Sequence, residues 1–332
     1  MTTVQLARSL ADLEPHVEQW DQLAVRASAP FMRPAWLLAW WSAQCKFNSR
    51  SELRVAMAFE ARDLVGVLPL HVRDSDDRLP LFELLGGGSF WGQAPLLAGD
   101  APPEKLLSLL TQALAESSPV PGTLSLAAVN VSGDWPLRMA ALWPQRSARP
   151  DPRGVTGTAL TISPLGDLAG WQRRTHRRFD DRRRLRRLAE QGVTLRASMT
   201  ESEYQKDVAS LMRLFHKRWA DDQQWLMPAG EVALETGGRK LIGSGGVRLW
   251  VLEGEEGIVG ASLFASAGLE SCFVMTAYDP DWSRYSPGIV TALAGIEDAF
   301  TRGAELVDLS FGNFDYLKAM ANSTRPVGWW VI

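Results

Sequence analysis

Histidine and cysteine are scarce in this sequence, which argues against a metal centre. The 332 residues include two Cys and four His, and none of them has the close spacing of metal ligands. Cys45 and Cys272 lie far apart in apolar stretches, as buried thiols do in a protein of a reducing compartment. We therefore expect free thiols and no metal cofactor.

Long apolar runs and an excess of one charge are also missing. No apolar run approaches the ~20 residues that span a bilayer, and the first 15 residues lack the basic start and apolar core of a signal peptide. The formal net charge of −3 gives no overall attraction to nucleic acid or membrane. A soluble, cytoplasmic protein is expected, with nucleic acid not expected as a partner.

Apolar residues are plentiful, at 46% of the chain, which is enough to build two full cores. Residues 146–157 are rich in Pro, Gly, Arg and Ser and form the best candidate boundary. We predict one domain over residues 1–150 and a second over residues 151–332. In the first, periodicity predicts helices over 13–25, 36–47, 103–115 and 135–143, and strands over 53–60, 63–72, 79–85 and 123–129.

The second domain alternates helices with strands and contains a crossover unit. Its predicted helices cover residues 164–191, 201–220 and 232–242, and its predicted strands cover 158–162, 193–197, 247–253, 258–265, 271–277 and 328–332. A turn-rich loop, a helix and a second short apolar strand from Glu305 onward follow the strand 271–277. This order predicts a right-handed crossover in a mixed or parallel sheet.

The crossover helix has clear start and stop signals. Ser286 is the expected N-cap, Pro287 the first helical residue and Gly303 the residue that ends the helix. Exposed N–H groups behind this Ser-Pro-Gly turn, with Arg284 just upstream, suit an anion such as a phosphate. The alternative is a crossover helix that binds nothing, because many such helices start with Ser-Pro.

Arginine is concentrated in one predicted helix. Nine Arg and two Asp fall between Arg173 and Arg187, with no Lys. Guanidinium groups bind phosphate and carboxylate in a bidentate manner that Lys cannot reproduce. This helix is therefore either a solvated face or a site for an anion, which would be a phosphorylated cofactor, an acidic carrier protein or, less favoured, RNA.

Five stretches resemble one acyltransferase family. They are LFHKRWADD (214–222), AYDPDWSRYSPG (277–288), IEDAFTRGAELVDLSFGNFDY (296–316), RRFDDRRRLRRLAEQG (177–192) and, more loosely, FMRPAWLLAWW (31–41). Together with the order of elements they resemble the GNAT superfamily, in its CelD/BcsL-like branch near the FemAB-like transferases. The resemblance implies an α/β fold (α+β, with mixed sheets) of two tandem GNAT-like domains, the first with a degenerate cofactor site.

The same resemblance implies acetyl-CoA or another acyl-CoA as co-substrate. Its pantetheine arm would lie as an added strand between the strand that ends near Tyr278 and the strand after the crossover helix. The residues carried over are Met275, Thr276, Ala277 and Tyr278 for pantetheine, and Arg284, Tyr285, Ser286, Pro287, Gly288 and Ile289 for the pyrophosphate. The chain departs from the family pattern at Pro287, where a glycine is displaced, and at Leu317, which separates Tyr316 from Lys318.

The implied chemistry is attack of an amine on a thioester, which needs a base, a polarised carbonyl and an acid for the leaving thiolate. Tyr316 is the expected acid, and the alternative is a core tyrosine. Asp308, within an apolar strand, is the expected base or else orients an ammonium or an Arg. His216 is a second candidate base, or only a partner of the helix dipole.

Trp219, Trp225 and Asp279 are expected at the substrate mouth, and Asp279 is also suited to cap a turn. The predicted function is transfer of an acyl group, such as acetyl, from acyl-CoA to an amine of a small molecule or amino sugar. One alternative is a donor carried on an acidic acyl carrier protein, bound at residues 173–187, or on tRNA. Another is a non-catalytic GNAT-like scaffold in polysaccharide or envelope biosynthesis.

Overall fold

The chain divides into two units, and in each of them helices pack on a run of paired strands. In this computed structural model, unit 1 comprises Met1–Thr158, Pro228–Ala233 and Pro326–Ile332, and unit 2 comprises Ala159–Met227 and Leu234–Arg325. The residues that the structure describes are 1–47, 50–75, 78–117, 122–144, 155–163, 167–219, 228–311 and 314–332. The predicted boundary at 150/151 lies outside the described residues, so the predicted domain limits stay a prediction.

The first part of the chain supplies the strands β1 (Thr2–Ala7), β2 (Ser51–Glu60), β3 (Asp63–Ser75), β4 (Arg78–Leu84), β5 (Leu96–Leu97) and β6 (Thr123–Asn130). Its helices are α1 (Leu10–Leu13), α2 (Val17–Arg26), α3 (Pro34–Phe47), α4 (Pro103–Ala115) and α5 (Trp135–Leu142). The strands pair in the order β1-β2-β3-β4-β6, antiparallel except for the parallel pair β4–β6, and β5 pairs with β3. Leu106, Leu110 and Leu114 of α4 recur at helical spacing and bury one apolar face in the core of unit 1.

The later strands are β7 (Val155–Ile162), β8 (Thr194–Ala197), β9 (Val247–Gly254), β10 (Gly257–Ala267), β11 (Glu270–Tyr278), β12 (Leu306–Asp308) and β13 (Ser323–Val331). The later helices are α6 (Leu168–Phe179), α7 (Asp181–Ala189), α8 (Glu201–Trp219), α9 (Pro228–Val232), α10 (Gly238–Leu241), α11 (Pro287–Thr301) and α12 (Asp315–Met320). The strands of unit 2 pair in the order β7-β12-β11-β10-β9-β8, antiparallel except for the parallel pair β11–β12. Within unit 1, the end of β13 pairs with β6 in an antiparallel register.

The core of unit 2 lies under α11. Leu293, Ile296 and Phe300 of this helix pack on Phe264 and Phe273, which come from β10 and β11. The contact is close, because a Cβ added at Gly295 would overlap the ring of Phe264. The position of α11 on these two strands is therefore set by packing, and it brings the start of the helix to the end of β11.

Most predicted elements are confirmed. The helix predicted over 103–115 is α4, and the strands predicted over 53–60 and 63–72 form the hairpin of β2 and β3. The strands predicted over 247–253, 258–265 and 271–277 are the antiparallel strands β9, β10 and β11. The crossover is also confirmed, since α11 starts at Pro287 and joins the parallel strands β11 and β12. These elements carry strong local signals, namely apolar periodicity, Pro at the first helical position and glycine in turns.

Other predictions were wrong. The single helix over 164–191 is two helices, α6 and α7, because Asp180 adopts a left-handed conformation with φ 48°. The short strand predicted from Glu305 is present as β12, but the helix α12 that follows it and holds Tyr316 was not predicted. The strands β1 and β5 were not predicted. In the described ranges, no helix has the length and apolar character needed to cross a membrane.

Candidate functional site

An opening in the sheet of unit 2 is the first feature of the site. β11 pairs with β12 over only three residues, ending at Cys272 opposite Asp308. The chain after β12 then follows β7, with Leu309 donating its N–H to Leu160 O (2.7 Å) and Leu160 donating its N–H to Ser310 O (2.9 Å). β11 continues to Tyr278, and within the described residues β10 is the strand paired with this last part. The two parallel strands therefore diverge and leave one edge of β11 open.

Backbone groups of two residues face this open edge. Asp279 donates its N–H to Val259 O (2.9 Å), so residue 279 and every second residue before it turn their backbone groups toward β10. Thr276 and Tyr278, which alternate with them, turn their N–H and C=O groups toward the opening. Of the four residues predicted for pantetheine, these two can therefore bond an added strand, whereas Met275 and Ala277 are bonded to β10.

The start of α11 adjoins the opening but offers few free donors. Ser286 adopts a left-handed conformation (φ 52°) and its side chain does not cap the helix. Its N–H donates to Ser283 O, and its own C=O accepts from Ile289 N–H (3.0 Å). Pro287 has no N–H, so among the described residues Gly288 holds the one N–H of the first helical turn without a protein acceptor.

Gly288 also determines how closely the helix approaches β11. A Cβ at this position would lie 3.1 Å from Thr276 Oγ1 and 3.2 Å from Tyr278 Cδ1. A chain of hydrogen-bonded hydroxyl groups links the helix to the strands near Gly288. Ser262 Oγ lies 2.9 Å from Thr276 Oγ1 and 2.7 Å from Thr291 Oγ1. Thr291 in turn donates to Pro287 O (3.1 Å). Sequence reasoning missed Ser262 and Thr291, because each is an ordinary Ser or Thr until the fold brings them together.

Tyr316 lies beside the end of β11. It is half-buried in α12, and burial raises the pKa of its phenol to about 12. The charge of Arg218 acts to lower this pKa and Tyr278 to raise it, so both side chains are neighbours of the phenol. The Arg218 guanidinium lies 4.0 Å from the centre of the Tyr278 ring, a cation–π contact. Sequence reasoning did not select Arg218, although its place in the last turn of α8 was a signal.

Asp308 is fully buried and already paired. Its Oδ2 lies 2.5 Å from Arg325 Nη2, and its Oδ1 accepts the N–H of Ser310 at 2.5 Å. Arg325 Nη1 also contacts Glu270 Oε1 at 2.8 Å. Burial opposes the charged form of Arg325, but the two carboxylates together raise its pKa, while burial raises the pKa of Glu270. The contacts match the predicted alternative in which Asp308 orients an Arg.

Asp279 caps a turn and forms an ion pair. Lys217 Nζ lies 2.9 Å from both carboxylate oxygens, and Asp281 donates its N–H to Oδ1 at the start of a 3-10 helix, Pro280–Tyr285. The hydrogen bond from Lys217 is the main cause that lowers the pKa of Asp279. In the same loop the Arg284 guanidinium stacks 4.7 Å from the centre of the Tyr285 ring. The loop is therefore tied to the end of α8.

The other predicted residues are less well placed. His216 is half-buried in α8, beside the Phe215 ring at 5.7 Å. It lies two residues before Arg218, about 200° around the helix, so the two side chains leave α8 in different directions. Trp219 is the last residue of α8, and its side chain lies outside the described residues, as does all of Trp225. Among the described residues, no group of three or more His, Cys, Asp or Glu could hold a metal ion.

Unit 1 has a comparable parallel pair, β4 and β6, but its own chain fills the place beside β6. The two strands pair over the first three residues of β6. Beyond them, Gly92 donates its N–H to Ala128 O (2.7 Å) and Asn130 donates its N–H to Gln93 O (3.0 Å). The Gln93 side chain is fully buried and donates to Leu85 O at 2.8 Å. This part of β6 therefore presents no open edge.

Comparison with known proteins agrees with this geometry. A family model described as an acetyltransferase (GNAT) domain matches residues 175–318. No curated protein sequence matches the chain. At the level of structure, the chain is similar to FemX, with 12% identity, coverage of 87% of this chain and 90% of that one, and a TM-score of 0.56.

Two further structures have a similar fold. One is the C-terminal domain of a putative lysylphosphatidylglycerol synthetase from Agrobacterium fabrum, with 11% identity, coverage of 96% and 92%, and a TM-score of 0.57. The other is L-PGS from Bacillus licheniformis, with 11% identity, coverage of 95% and 91%, and a TM-score of 0.54. Identities this low show the fold alone. The predicted fold class, mixed α/β of the GNAT type, is confirmed, and the CelD/BcsL-like branch stays a prediction.

Proposed function

We propose that the chain is an acyl-CoA-dependent N-acyltransferase, and the match of residues 175–318 to the model of a GNAT acetyltransferase domain supports this. Its acceptor is a primary amine of a small molecule or amino sugar, and acetyl is the simplest acyl group. One observation carries the proposal, namely the open edge of β11 with the start of α11 and Tyr316 beside it. A catalytically silent scaffold has no need of such an edge.

The open edge fits the amide-rich arm of CoA. Thr276 and Tyr278 offer backbone N–H and C=O groups there, and an extended ligand with amides can bond to them as a strand does. Gly288 lets the pyrophosphate approach the helix start, because it has no side chain and keeps a free N–H. Arg284 and Tyr285 are in the preceding loop. Bound acyl-CoA would supply the thioester carbonyl carbon that the amine attacks.

We assign Tyr316 the role of hydrogen-bond donor to the sulfur that leaves the thioester. With a pKa of about 12 the phenol stays protonated at all ordinary pH values. A thiol has a pKa of about 8.5, so complete proton transfer from the phenol to the thiolate is uphill. Tyr316 therefore stabilises the thiolate by donating a hydrogen bond, and the N–H of Thr276 or Tyr278 polarises the thioester carbonyl. Arg218 packs over the Tyr278 ring and so holds that ring in place beside Tyr316.

Neither predicted base has strong support as the proton acceptor. Asp308 accepts from Arg325 and from Ser310, so its role here is to fix the end of β12. His216 leaves α8 in a different direction from Arg218. We therefore assign the amine proton to solvent, which requires that kcat/KM rise with pH until the acceptor amine is neutral.

Isothermal titration calorimetry with acetyl-CoA and with longer acyl-CoAs tests the donor. We expect acyl-CoA binding to weaken when Thr276 is replaced by Pro, because proline removes one backbone N–H donor at the open edge. Thr194→Pro, at the start of the edge strand β8, is the matched control for a proline in a strand. Absence of binding by any acyl-CoA at millimolar concentration, with an intact fold, would exclude the proposal.

A second donor class has one observation in its favour. The start of α11 keeps a single free N–H in the described residues, which is few for a pyrophosphate held by the helix alone. A donor carried on an acidic acyl carrier protein or tRNA would instead dock on the exposed Arg of α6 and α7. Under this alternative, Arg183→Glu with Arg186→Glu and Arg187→Glu abolishes carrier binding and leaves binding of free acyl-CoA intact. Equal loss of both would contradict it.

A further inference from the structure

The bend between α6 and α7 contains an open pocket that the acyl-transfer site does not use. Its volume is about 310 Å³, and it is lined by Arg173, His176, Arg177, Asp180 and Arg182. Arg173 and Arg177 lie one turn apart on α6, whereas Arg182 belongs to the first turn of α7. The left-handed Asp180 between the helices turns the chain, so cations from both helices reach one pocket.

The three arginines of the pocket differ from neighbouring arginines of the same helices in their ion pairing. The neighbouring Arg174 and Arg183 form ion pairs with Asp167 (3.4 Å) and Asp180 (3.6 Å). Across the part of the chain that the structure describes, Arg173, Arg177 and Arg182 form no such pair. Asp180 also lines the pocket, but its carboxylate is paired with Arg183, so among the described residues the pocket has more cationic than anionic side chains.

His176 explains why the nearby carboxylates do not neutralise the pocket. Its Nδ1 lies 2.8 Å from Asp181 Oδ1 and its Nε2 lies 2.7 Å from Glu297 Oε1. Both carboxylates are turned toward the imidazole, so His176 connects α6 to α7 and to α11 at the base of the pocket. Burial raises the pKa of Glu297, and the charge of Arg182 opposes this rise. The pocket is thus built on a half-buried network of ion pairs, and its three Arg side chains project from these two linked helices.

The pocket is separate from the acyl-transfer site. Glu297 follows Pro287, at the start of α11, by ten residues, which corresponds to about 15 Å along a helix. The start of α11 faces the end of β11, whereas Glu297 contacts His176, which lines the pocket. A ligand in the pocket would therefore not compete directly with the acyl donor.

We propose that this pocket binds a phosphate monoester group. The guanidinium groups of Arg173, Arg177 and Arg182, on two helices, can surround a tetrahedral dianion, and each can donate two parallel hydrogen bonds to it. A flat carboxylate would use fewer of these donors. The volume accommodates the phosphate together with the first atoms of its ester, which come either from a soluble phosphomonoester or from the headgroup of phosphatidic acid.

Calorimetry on the full chain tests the site with inorganic phosphate and glycerol 3-phosphate as probes, and flotation tests it with vesicles of phosphatidylcholine that contain phosphatidic acid. Arg173→Gln, Arg177→Gln and Arg182→Gln should each weaken binding about tenfold, as expected for one lost charge-assisted pair. Arg178→Gln, Arg186→Gln and Arg187→Gln remove the same charge from the same helices outside the pocket and should change binding less than about twofold. Circular dichroism confirms that every variant is folded.

The probes separate the two sources of the phosphate. Binding of glycerol 3-phosphate that is lost in the pocket variants assigns a soluble ligand, and binding of vesicles alone, lost in the same variants, assigns a lipid headgroup. The proposal is overturned if no probe binds to the folded chain. It is also overturned if pocket and control variants weaken binding equally, because that result describes a diffuse surface for a polyanion such as RNA.

Discussion

Tyr316 can be tested by removing a single oxygen. Tyr316→Phe keeps the ring, which packs against the core of unit 2, and removes the hydroxyl that we propose donates to the leaving sulfur. We expect kcat to fall by about 10²- to 10⁴-fold, with little change in the donor KM or in Tm. Steady-state kinetics and a thermal melt measure both quantities.

Tyr204→Phe is the control for Tyr316. The Tyr204 hydroxyl is fully buried and donates to Leu234 O at 2.7 Å, so its loss should lower Tm but leave kcat unchanged. Unchanged kcat in Tyr316→Phe would make Tyr316 a core tyrosine, which is the alternative that the sequence left open.

His71 predicts a pH-dependent stability that is unrelated to catalysis. It is buried between the rings of Trp40 (5.3 Å) and Trp41 (5.7 Å), and its pKa falls to about 4, first through burial and then through the charge of Arg73. Between about pH 6.5 and 4 the unfolded chain binds a proton at this site that the folded chain does not. The free energy of unfolding therefore decreases as the pH falls through this window, and the contribution of His71 to this decrease is about 3 kcal/mol in total.

Urea unfolding at pH 7.5, 5.5 and 4.5 measures this effect. His71→Phe, which retains the ring packing, should lose less stability on acidification than the parent chain. His16→Phe, at a half-exposed position, should follow the parent. Equal acid sensitivity in parent and His71→Phe would contradict the assignment, and the comparison also separates His71 from nearby Glu83, whose pKa burial raises.

Sequence reasoning selected some residues of the candidate site and missed others for a physical reason. Tyr316 and Gly288 were selected because a family resemblance and helix-start signals mark them locally. Arg218 and Arg325 were missed because their partners, Tyr278 and Asp308, are distant in sequence. Local patterns carry no information on such pairs until the strands are aligned.

At the scale of elements, the contact between α11 and β11 decides whether the donor fits. Gly288→Ala would place a methyl group 3.1 Å from Thr276 Oγ1 and 3.2 Å from Tyr278 Cδ1. The helix start must move away by a few tenths of an ångström, and we expect donor binding to weaken about tenfold, since overpacking of this kind costs about 1–3 kcal/mol. The overpacking should also lower Tm, and the higher helix propensity of Ala relative to Gly offsets part of that decrease.

Gly243→Ala is the matched control for Gly288, because nothing lies within 4 Å of a Cβ at that position. Calorimetry with acyl-CoA should give the parent affinity for this variant. Parent affinity in Gly288→Ala as well would show that the close approach of α11 is not needed for the donor.

The break between α6 and α7 shows how packing overrides a helical pattern. The Arg-rich segment has helical periodicity throughout, and Asp180 tolerates the left-handed conformation at modest cost. Packing then selects the break, since it lets His176 meet Asp181 and Glu297 of α11. Nothing in the segment itself distinguishes one long helix from two.

At the scale of the whole molecule, the two units predict how many acyl-CoA molecules each chain binds. The edge of β11 in unit 2 is open, whereas Gly92 and Gln93 occupy the comparable place beside β6 in unit 1. We therefore expect calorimetry to give one acyl-CoA per chain, as a single class of site that weakens as a whole in Gly288→Ala. A stoichiometry of two would contradict the predicted degenerate site in the first domain.

Length, apolar content and periodicity by themselves determined that the chain has two units of mixed α/β structure with a crossover helix that starts at Pro287. These features depend on interactions within a few residues, so they can be read locally. Tertiary structure alone decided that β12 leaves β11 after Cys272, that Gly92 and Gln93 fill the edge of β6, and that three Arg converge on one pocket. Each of these outcomes depends on contacts between residues far apart in the sequence, which exist only once the sheets are assembled.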